Sequence, residues 1–475
     1  MAAAAADPAA PARSPAGRAW LLLAAVATAA YLNSFAGSYQ FDDWEVIVED
    51  TRVHTLAAWW ASMPGIRPLL KLSYALNWQS GLGLAGFHAV NLALHIANSC
   101  IAFALLRRLA MRSFPARLAG VTTLGALAAA LLFALHPVQT EAVTYISGRS
   151  SSLAACCALA SLLTWEQARE TPPVPRRRLL LIASPALFLL AIGARETVLV
   201  LPFALVLLAL CDARRRVRWR DALAAALPHA LVLVAAACAA ASLPRYWMLL
   251  ESSFTARGLG VNLLTQLHAV AYLAGQLLMP WRLNSDPVLP LVTSWTAPTV
   301  ALALAYATAC ALGAAALRRR PAIAFGILWF FLWLAPSNSL LPRLDLVNDR
   351  QLYVALIGPA WLAGCLVAWI AARTATLGRA PRRGLAAAGV ATLLLLGLAT
   401  AKRNEVYANE IAFWSDVAAK SPANPRAAGN LGYAYALAGR RAEAEAQFRR
   451  ALALDPQYTR AAINLMLLKD GSLTP

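Results

Sequence analysis

The sequence predicts an all-α chain, a polytopic helical membrane domain of about 11 crossings followed by a short helical solenoid. Composition gives the first reason: the chain is 60% hydrophobic and only 14% charged, against about 25% charged in soluble domains. Patterning gives the second, because apolar runs long enough to cross about 30 Å of hydrocarbon recur along most of it. The third is a stretch of helical-repeat spacing after the last apolar run. A net charge of +19 does not make this a nucleic-acid binder. The basic residues sit in short clusters between apolar runs, which is the positive-inside pattern of a membrane protein.

Residues 1–18 are rich in Ala and Pro and read as a disordered cytoplasmic N-terminus. The first span runs from about Ala19 to Phe35 and lacks a small-residue cleavage site, so it reads as an anchored helix. A polar, aromatic-rich loop follows from about Ala36 to Ala85, in which Thr55 to Met63, with Trp59 and Trp60, suits the membrane surface. The second span is about Phe87 to Leu106 and the third about Leu118 to Leu135, stopped by His136-Pro137. The fourth, about Ser151 to Trp165, leads to Arg176-Arg177-Arg178. Between that cluster and Arg214-Arg215-Arg216 lie roughly 35 residues, enough for two crossings with Arg195-Glu196 at their tip. The seventh span is about Asp221 to Ser242. Leu263 to Met279 carries Gln266, His268 and Gln276 and reads as interfacial or re-entrant, because a crossing there would put Arg318-Arg319-Arg320 on the wrong side. The last four spans are about Ala297 to Leu317, Ala322 to Ala335, Leu352 to Ala371 and Gly384 to Ala401.

This order places the N-terminus inside and the C-terminus outside. The inside segments then hold 22 arginines and the outside loops, before the C-terminal part, about ten Lys or Arg among most of the acidic residues. The membrane domain is accordingly residues 19–401 and the last domain 402–475, facing the periplasm of a bacterial inner membrane. In that last part Asn430-Leu431-Gly432, Tyr435, Gly439, Ala444, Phe448, Ala451 and Pro456 fit the helix-turn-helix tetratricopeptide (TPR) repeat. Pro422 and Pro456 stand 34 residues apart, as do Trp414 and Phe448. One full repeat near 425–458, flanked by partial ones, is short for a free array and should lean on the membrane domain. The seven cysteines fall within or at the ends of apolar runs and none has metal-ligand spacing.

Acidic residues are scarce, 23 Asp plus Glu in all, so Asp42-Asp43 just beyond the first span needs a reason. Adjacent carboxylates on an extended backbone point opposite ways, which favours one base and one anchor over a shared-proton pair. Which is the base is open. Arg67, His136, Glu141, Arg149, Arg195, Glu196, Asp349 and Arg350 fall on the same predicted side, from loops that can converge on one cavity. His88, Asn91 and His95 share one face of the second span. They suit helix-to-helix hydrogen bonding or, without a completing ligand nearby, a metal. Arg195-Glu196 reads as a local ion pair or as part of a site. Asp349-Arg350 with Tyr353 can hold phosphate through the guanidinium or serve as an interfacial anchor.

Phe41-Asp42-Asp43-Trp44, Arg67-Pro68-Leu69-Leu70, Phe87-His88 with Asn91 and His95, and His136-Pro137-Val138-Gln139-Thr140-Glu141 with Gly148-Arg149 together resemble the transmembrane and TPR-containing O-mannosyltransferase family. Arg195-Glu196-Thr197 and Asp349-Arg350-Gln351-Leu352-Tyr353 resemble segments that in that family usually read Lys-Glu and Glu-Arg. The resemblance implies a GT-C glycosyltransferase fold and a lipid-phosphate-linked sugar donor, mannose in the eukaryotic members. It implies Asp42, with Asp43, as the catalytic carboxylates, and Arg350, Arg149 and Arg195 around the donor phosphate. Arg67, His88, His95, His136, Glu141, Glu196, Asp349 and Tyr353 would support them. The implied partners are a polyprenyl-phosphate sugar, membrane lipid and a protein or peptide acceptor held by the repeats, with no nucleic acid. No metal site is expected, and a divalent cation requirement is left open. The repeat segment is much shorter than in the eukaryotic members, so the acceptor is open too. The rival expectation is a non-catalytic, membrane-anchored TPR scaffold for envelope assembly. A transporter fits less well, since its polar groups should lie near the midplane.

Overall fold

A computed structural model describes residues 15–172, 175–375 and 378–473, and among them the chain is helical with no strand. In chain order the first helices are α1 Pro15–Tyr31, α2 Leu56–Ala61, α3 Pro68–Gln79, α4 Gly83–Ser113, α5 Ala119–Leu135, α6 Thr140–Val143 and α7 Arg149–Glu170. They are followed by α8 Pro175–Ala194, α9 Leu201–Leu210, α10 Trp219–Ala241, α11 Pro244–Ala256, α12 Leu259–Leu278, α13 Ala297–Ala316 and α14 Pro321–Leu334. The last are α15 Leu352–Ala355, α16 Ile357–Thr374, α17 Arg379–Asn404, α18 Glu410–Lys420, α19 Pro425–Leu437, α20 Arg441–Leu454 and α21 Thr459–Asp470.

Among the described residues nine helices are long and apolar enough to cross a membrane, and two shorter apolar ones, Glu196–Leu210 and Pro321–Leu334, stand beside them. Every expected span carries a helix, so this is a helical polytopic membrane protein with a helical repeat region. The differences lie outside the spans. The expected disordered N-terminus falls partly outside the described residues, but α1 already begins at Pro15. The loop from Ala36 to Ala85 is not open: it holds a π-turn at Trp44–Val48, then α2 and α3. Pro68 at the first position of α3 favours a helix start, and Leu70, Tyr74 and Asn77 repeat on its buried face. At 12 residues α3 is too short to register as a crossing. The amphipathic α11 escaped for the same reason.

Small residues let the central helices touch. A Cβ on Gly125 of α5 would meet the carbonyl of Gly364 on α16 at 2.5 Å, and Gly326 of α14 crosses Gly358 of α16 just as closely. Two ends of the bundle are tied separately. At one, Asn404 closing α17 donates to Ala30 O at 3.0 Å and accepts from Thr144 Oγ1 at 2.6 Å, while Thr400 donates to Leu135 O at 2.7 Å. At the other, Arg112 of α4 pairs with Glu166 and Glu170 of α7, and Arg169 pairs with Asp212 at 3.1 Å. The buried carboxylates there neutralise arginines that would otherwise crowd one another.

The chain leaves α17 through a short 3-10 turn into α18, and α19 to α21 stack on it as helical hairpins. Gly439, at φ +74°, makes the turn between α19 and α20, a conformation glycine adopts freely. The hairpins lean on the bundle: Arg403 pairs with Asp416 at 2.6 Å, Asn284 donates to Ser421 at 2.8 Å, and Arg426 pairs with Asp286.

Candidate functional site

The first bundle end carries a cavity of about 510 Å³ under the α2–α3 segment, the start of α11 and the loop before α15. Asp42, Glu45 and Asp50 face it with Arg52, Arg67, Lys71, Arg195, Arg245, Arg343 and Arg350, so cations outnumber carboxylates. Its other wall is apolar, including Ile66, Leu70, Leu243 and Leu249.

Asp43 and Asp42 part company. Asp43 is fully buried, its Oδ1 accepting from the Ser147 amide at 2.7 Å and Oδ2 from the Gln40 amide at 3.0 Å. Burial pushes its carboxyl up to about 7 despite both bonds. Asp42 points into the cavity with its side chain 37% exposed and its Oδ2 3.9 Å from Arg350 Nη2. Its amide is held by the Tyr145 hydroxyl at 2.9 Å. Burial raises the Asp42 carboxyl and the Arg350 guanidinium pulls it back. Of the pair, only Asp42 lines the cavity.

Arg350 is fixed from behind. Its amide donates to Glu141 Oε2 at 3.1 Å, its Nε lies 3.5 Å from Glu141 Oε1, and its guanidinium lies over the Tyr145 ring. Glu141 is buried, and burial pushes it up against the pull of Arg350. Asp349 turns inward, held well above the usual carboxylate range by burial and by Glu141.

Arg195, 4% exposed, donates to the Ser150 and Ser151 hydroxyls at 2.9 and 2.6 Å. It makes no salt bridge among the described residues: Glu196 instead meets Arg67, at 2.8 Å. The local ion pair, one of the two readings of Arg195-Glu196, therefore does not form, Arg195 going to the serines and Glu196 to Arg67. Burial, then the like charges of Arg343, Arg350 and Arg67, hold Arg195 well below the usual arginine range. Arg343 is alike: among the described residues no salt bridge reaches it and its buried Nη1 has no hydrogen-bond partner, and burial with neighbouring arginines brings it down to about 10. Such crowding is unfavourable in an empty cavity and favours an anionic ligand.

Five other expected residues, Arg149, His88, His95, His136 and Tyr353, lie away from the cavity. Arg149 is completely buried between the Tyr74 and Phe87 rings, donating to Asn91 Oδ1 at 2.6 Å, Ser73 O at 3.2 Å and Phe87 O at 2.9 Å. It clamps α3, α4 and α7 together and does not line the cavity. His95 joins the Tyr353 hydroxyl at 2.9 Å to Ala134 O at 3.0 Å, deep in the bundle. His136 reaches Leu277 O at 3.1 Å, and His88 lies 3.4 Å from Gly37 O. Asn91 donates to Val143 O at 3.1 Å and Ile146 O at 3.2 Å, so the polar face of α4 links helices. Among the described residues no three His, Cys, Asp or Glu side chains cluster to hold a metal ion.

The sequence reading missed Arg343, Ser150, Ser151 and the Tyr145 hydroxyl. Arg343 had one legible signal, an arginine in an outside loop where the charge pattern makes arginine rare.

Fold and site define a multi-pass helical membrane protein with a basic cavity at one end and a helical repeat segment packed beside it. The chain is 32% identical to the protein O-mannosyl-transferase Tmtc2 of Drosophila melanogaster over 218 residues, 41% of this chain and 21% of the relative. It is 31% identical to Tmtc1 of the same fly over 210 residues, 40% and 22% of the two chains. To human TMTC4 it is 33% identical over 165 residues, 30% and 22%. The matched stretch thus spans about a fifth of these relatives. No family profile and no solved structure matches. By sequence the chain is similar, over 30–41% of its own length, to proteins that carry the O-mannosyl-transferase name.

Proposed function

We propose that this protein is a membrane glycosyltransferase of GT-C type. It moves a hexose, mannose-like, from a polyprenyl-phosphate donor to a hydroxyl of a protein or peptide acceptor. The observation that carries the reading is one cavity holding the Asp42 carboxylate 3.9 Å from Arg350, beside two arginines, Arg195 and Arg343, that make no salt bridge among the described residues.

In this reading Asp42 takes the proton of the acceptor hydroxyl as that oxygen bonds to the anomeric carbon. The bond from that carbon to the phosphate oxygen breaks, and the lipid phosphate leaves with the electron pair. Arg195, Arg343 and Arg350 meet the charge that grows on the phosphate. The apolar wall suits the first isoprene units, and the C-terminal helices present the acceptor. Asp43, Glu141 and Tyr145 hold Asp42 and Arg350 in place. The arginine clusters at the opposite bundle end support a cytoplasmic placement for that end, with the cavity and repeats on the periplasmic face of a bacterial inner membrane.

The test is transfer by the full chain in nanodiscs, from undecaprenyl-phosphate mannose to Ser/Thr peptides. Asp42→Asn should fold normally and lose at least about 10²-fold in kcat; normal transfer by the variant would sink the assignment.

A further inference from the structure

The loop that carries Asp42 is gripped from outside the membrane bundle. Phe41 has φ 42°, a left-handed conformation rare for an aromatic residue, which persists only where its surroundings hold it. Its ring meets Trp414 of α18 edge-on at 5.3 Å and lies 5.5 Å under the Arg426 guanidinium of α19. Trp44 Nε1 donates to Glu410 Oε1 at 2.8 Å, and Gln40 Nε2 reaches Tyr407 O at 3.4 Å. Gln40 and Phe41 before Asp42 and Trp44 after it thus reach the C-terminal segment, while Asp43 turns to the Ser147 and Gln40 amides. Arg426 also pairs with Asp345 at 3.0 Å, in the same loop as Arg343 and Arg350, and its Nε donates to Asp286 at 2.9 Å. One guanidinium therefore touches the loop of the carboxylate and the loop of the phosphate-facing arginines.

We propose that the C-terminal helices form a wall behind the Asp42 loop, outside the cavity lining, as well as a platform for an acceptor. Phe41, Trp414 and Arg426 are positioning residues that set the Asp42 carboxylate against Arg350. The catalytic consequence rests on the transferase reading; the positional claim does not. If the wall positions Asp42, it is needed even when the acceptor is too small to touch the repeats.

Hydrogen–deuterium exchange on the full chain in nanodiscs tests position without requiring turnover. The Asp42 amide is held by Tyr145 and the Asp43 amide by Gln40 O at 2.8 Å. Arg426→Ala and Trp414→Ala should each raise exchange at residues 40–44 by about tenfold, with peptides from α5 and α16 unchanged and Trp414→Phe near wild type. With undecaprenyl-phosphate mannose and a blocked threonine as acceptor, both alanine variants should lose about tenfold in kcat at a donor KM within about twofold. Unchanged exchange overturns the wall, and so does raised exchange with wild-type kcat. A wild-type protein that transfers nothing overturns the transferase reading instead, and exchange alone then decides the positional claim.

Discussion

Among the described residues, Arg350 is the cation that both salt-bridges Asp42 and faces the cavity, and glutamine there removes it. Two unit charges about 4 Å apart interact by about 4 kcal/mol at an effective dielectric of 20 and about 1 kcal/mol in water. Asp42 is 37% exposed, so the lower figure is the working scale. About 1 kcal/mol corresponds to roughly 0.7 of a pKa unit. Burial raises Asp42 and Arg350 is the largest influence lowering it, so removing Arg350 lets the carboxyl rise further. A base works only when ionised, so the acid limb of kcat should move to higher pH by roughly 0.7 unit. Loss of a cation at the departing phosphate should also lower the plateau by about 10²-fold. The assay is kcat against pH for wild type, Arg350→Gln and Arg350→Lys in nanodiscs. Lysine keeps the charge and should keep the limb. An acid limb that stays put or moves down in Arg350→Gln refutes the pairing of Asp42 with Arg350.

Three further outcomes are expected. Asp43→Asn puts a side-chain N–H₂ against one of two buried amides and should cost about 1–3 kcal/mol of stability in a denaturation midpoint. Because the folded Asp43 carboxyl sits near 7, above its unfolded value, its contribution is fully present at low pH and lost as pH rises through about 7. The wild-type minus Asp43→Asn difference should slope by at most about 1.4 kcal/mol per pH unit in that window. Arg149→Met should lower thermal stability by about 1–3 kcal/mol while the folded fraction binds undecaprenyl phosphate as wild type does; a loss of binding at unchanged stability would put Arg149 on the phosphate. Gly125→Leu should block assembly of the bundle, since even a Cβ there meets the Gly364 carbonyl at 2.5 Å; normal expression and melting of that variant would contradict the α5–α16 crossing.

The spans were legible because apolar length and arginine placement are local properties of the chain. The repeat helices were legible from the spacing of Gly432, Phe448 and Pro456. What composition could not give was direction. Arg149 and Arg195 look alike in sequence, each beside a helix start or end. Only packing sends one between Tyr74 and Phe87 and the other toward Ser150 and the cavity. Arg343 was hidden because its significance lies in crowding by Arg350 and by Arg67, the latter far away in sequence, without a salt bridge among the described residues, and such packing leaves no local trace. The α3 helix was hidden by its length, too short to register as a crossing. Arg426 reads as an ordinary repeat-surface charge until its neighbours Phe41 and Asp345 are known.

The most direct measurement is a structure of the full chain in nanodiscs with undecaprenyl phosphate bound. The account predicts the phosphate within hydrogen-bond distance of Arg195, Arg343 and Arg350, with the first isoprene units against Leu70 and Leu249 and Asp42 free to meet an acceptor. A phosphate seated at the opposite end, among Arg108, Arg214 and Arg215, with the cavity beside Asp42 left empty, would contradict it.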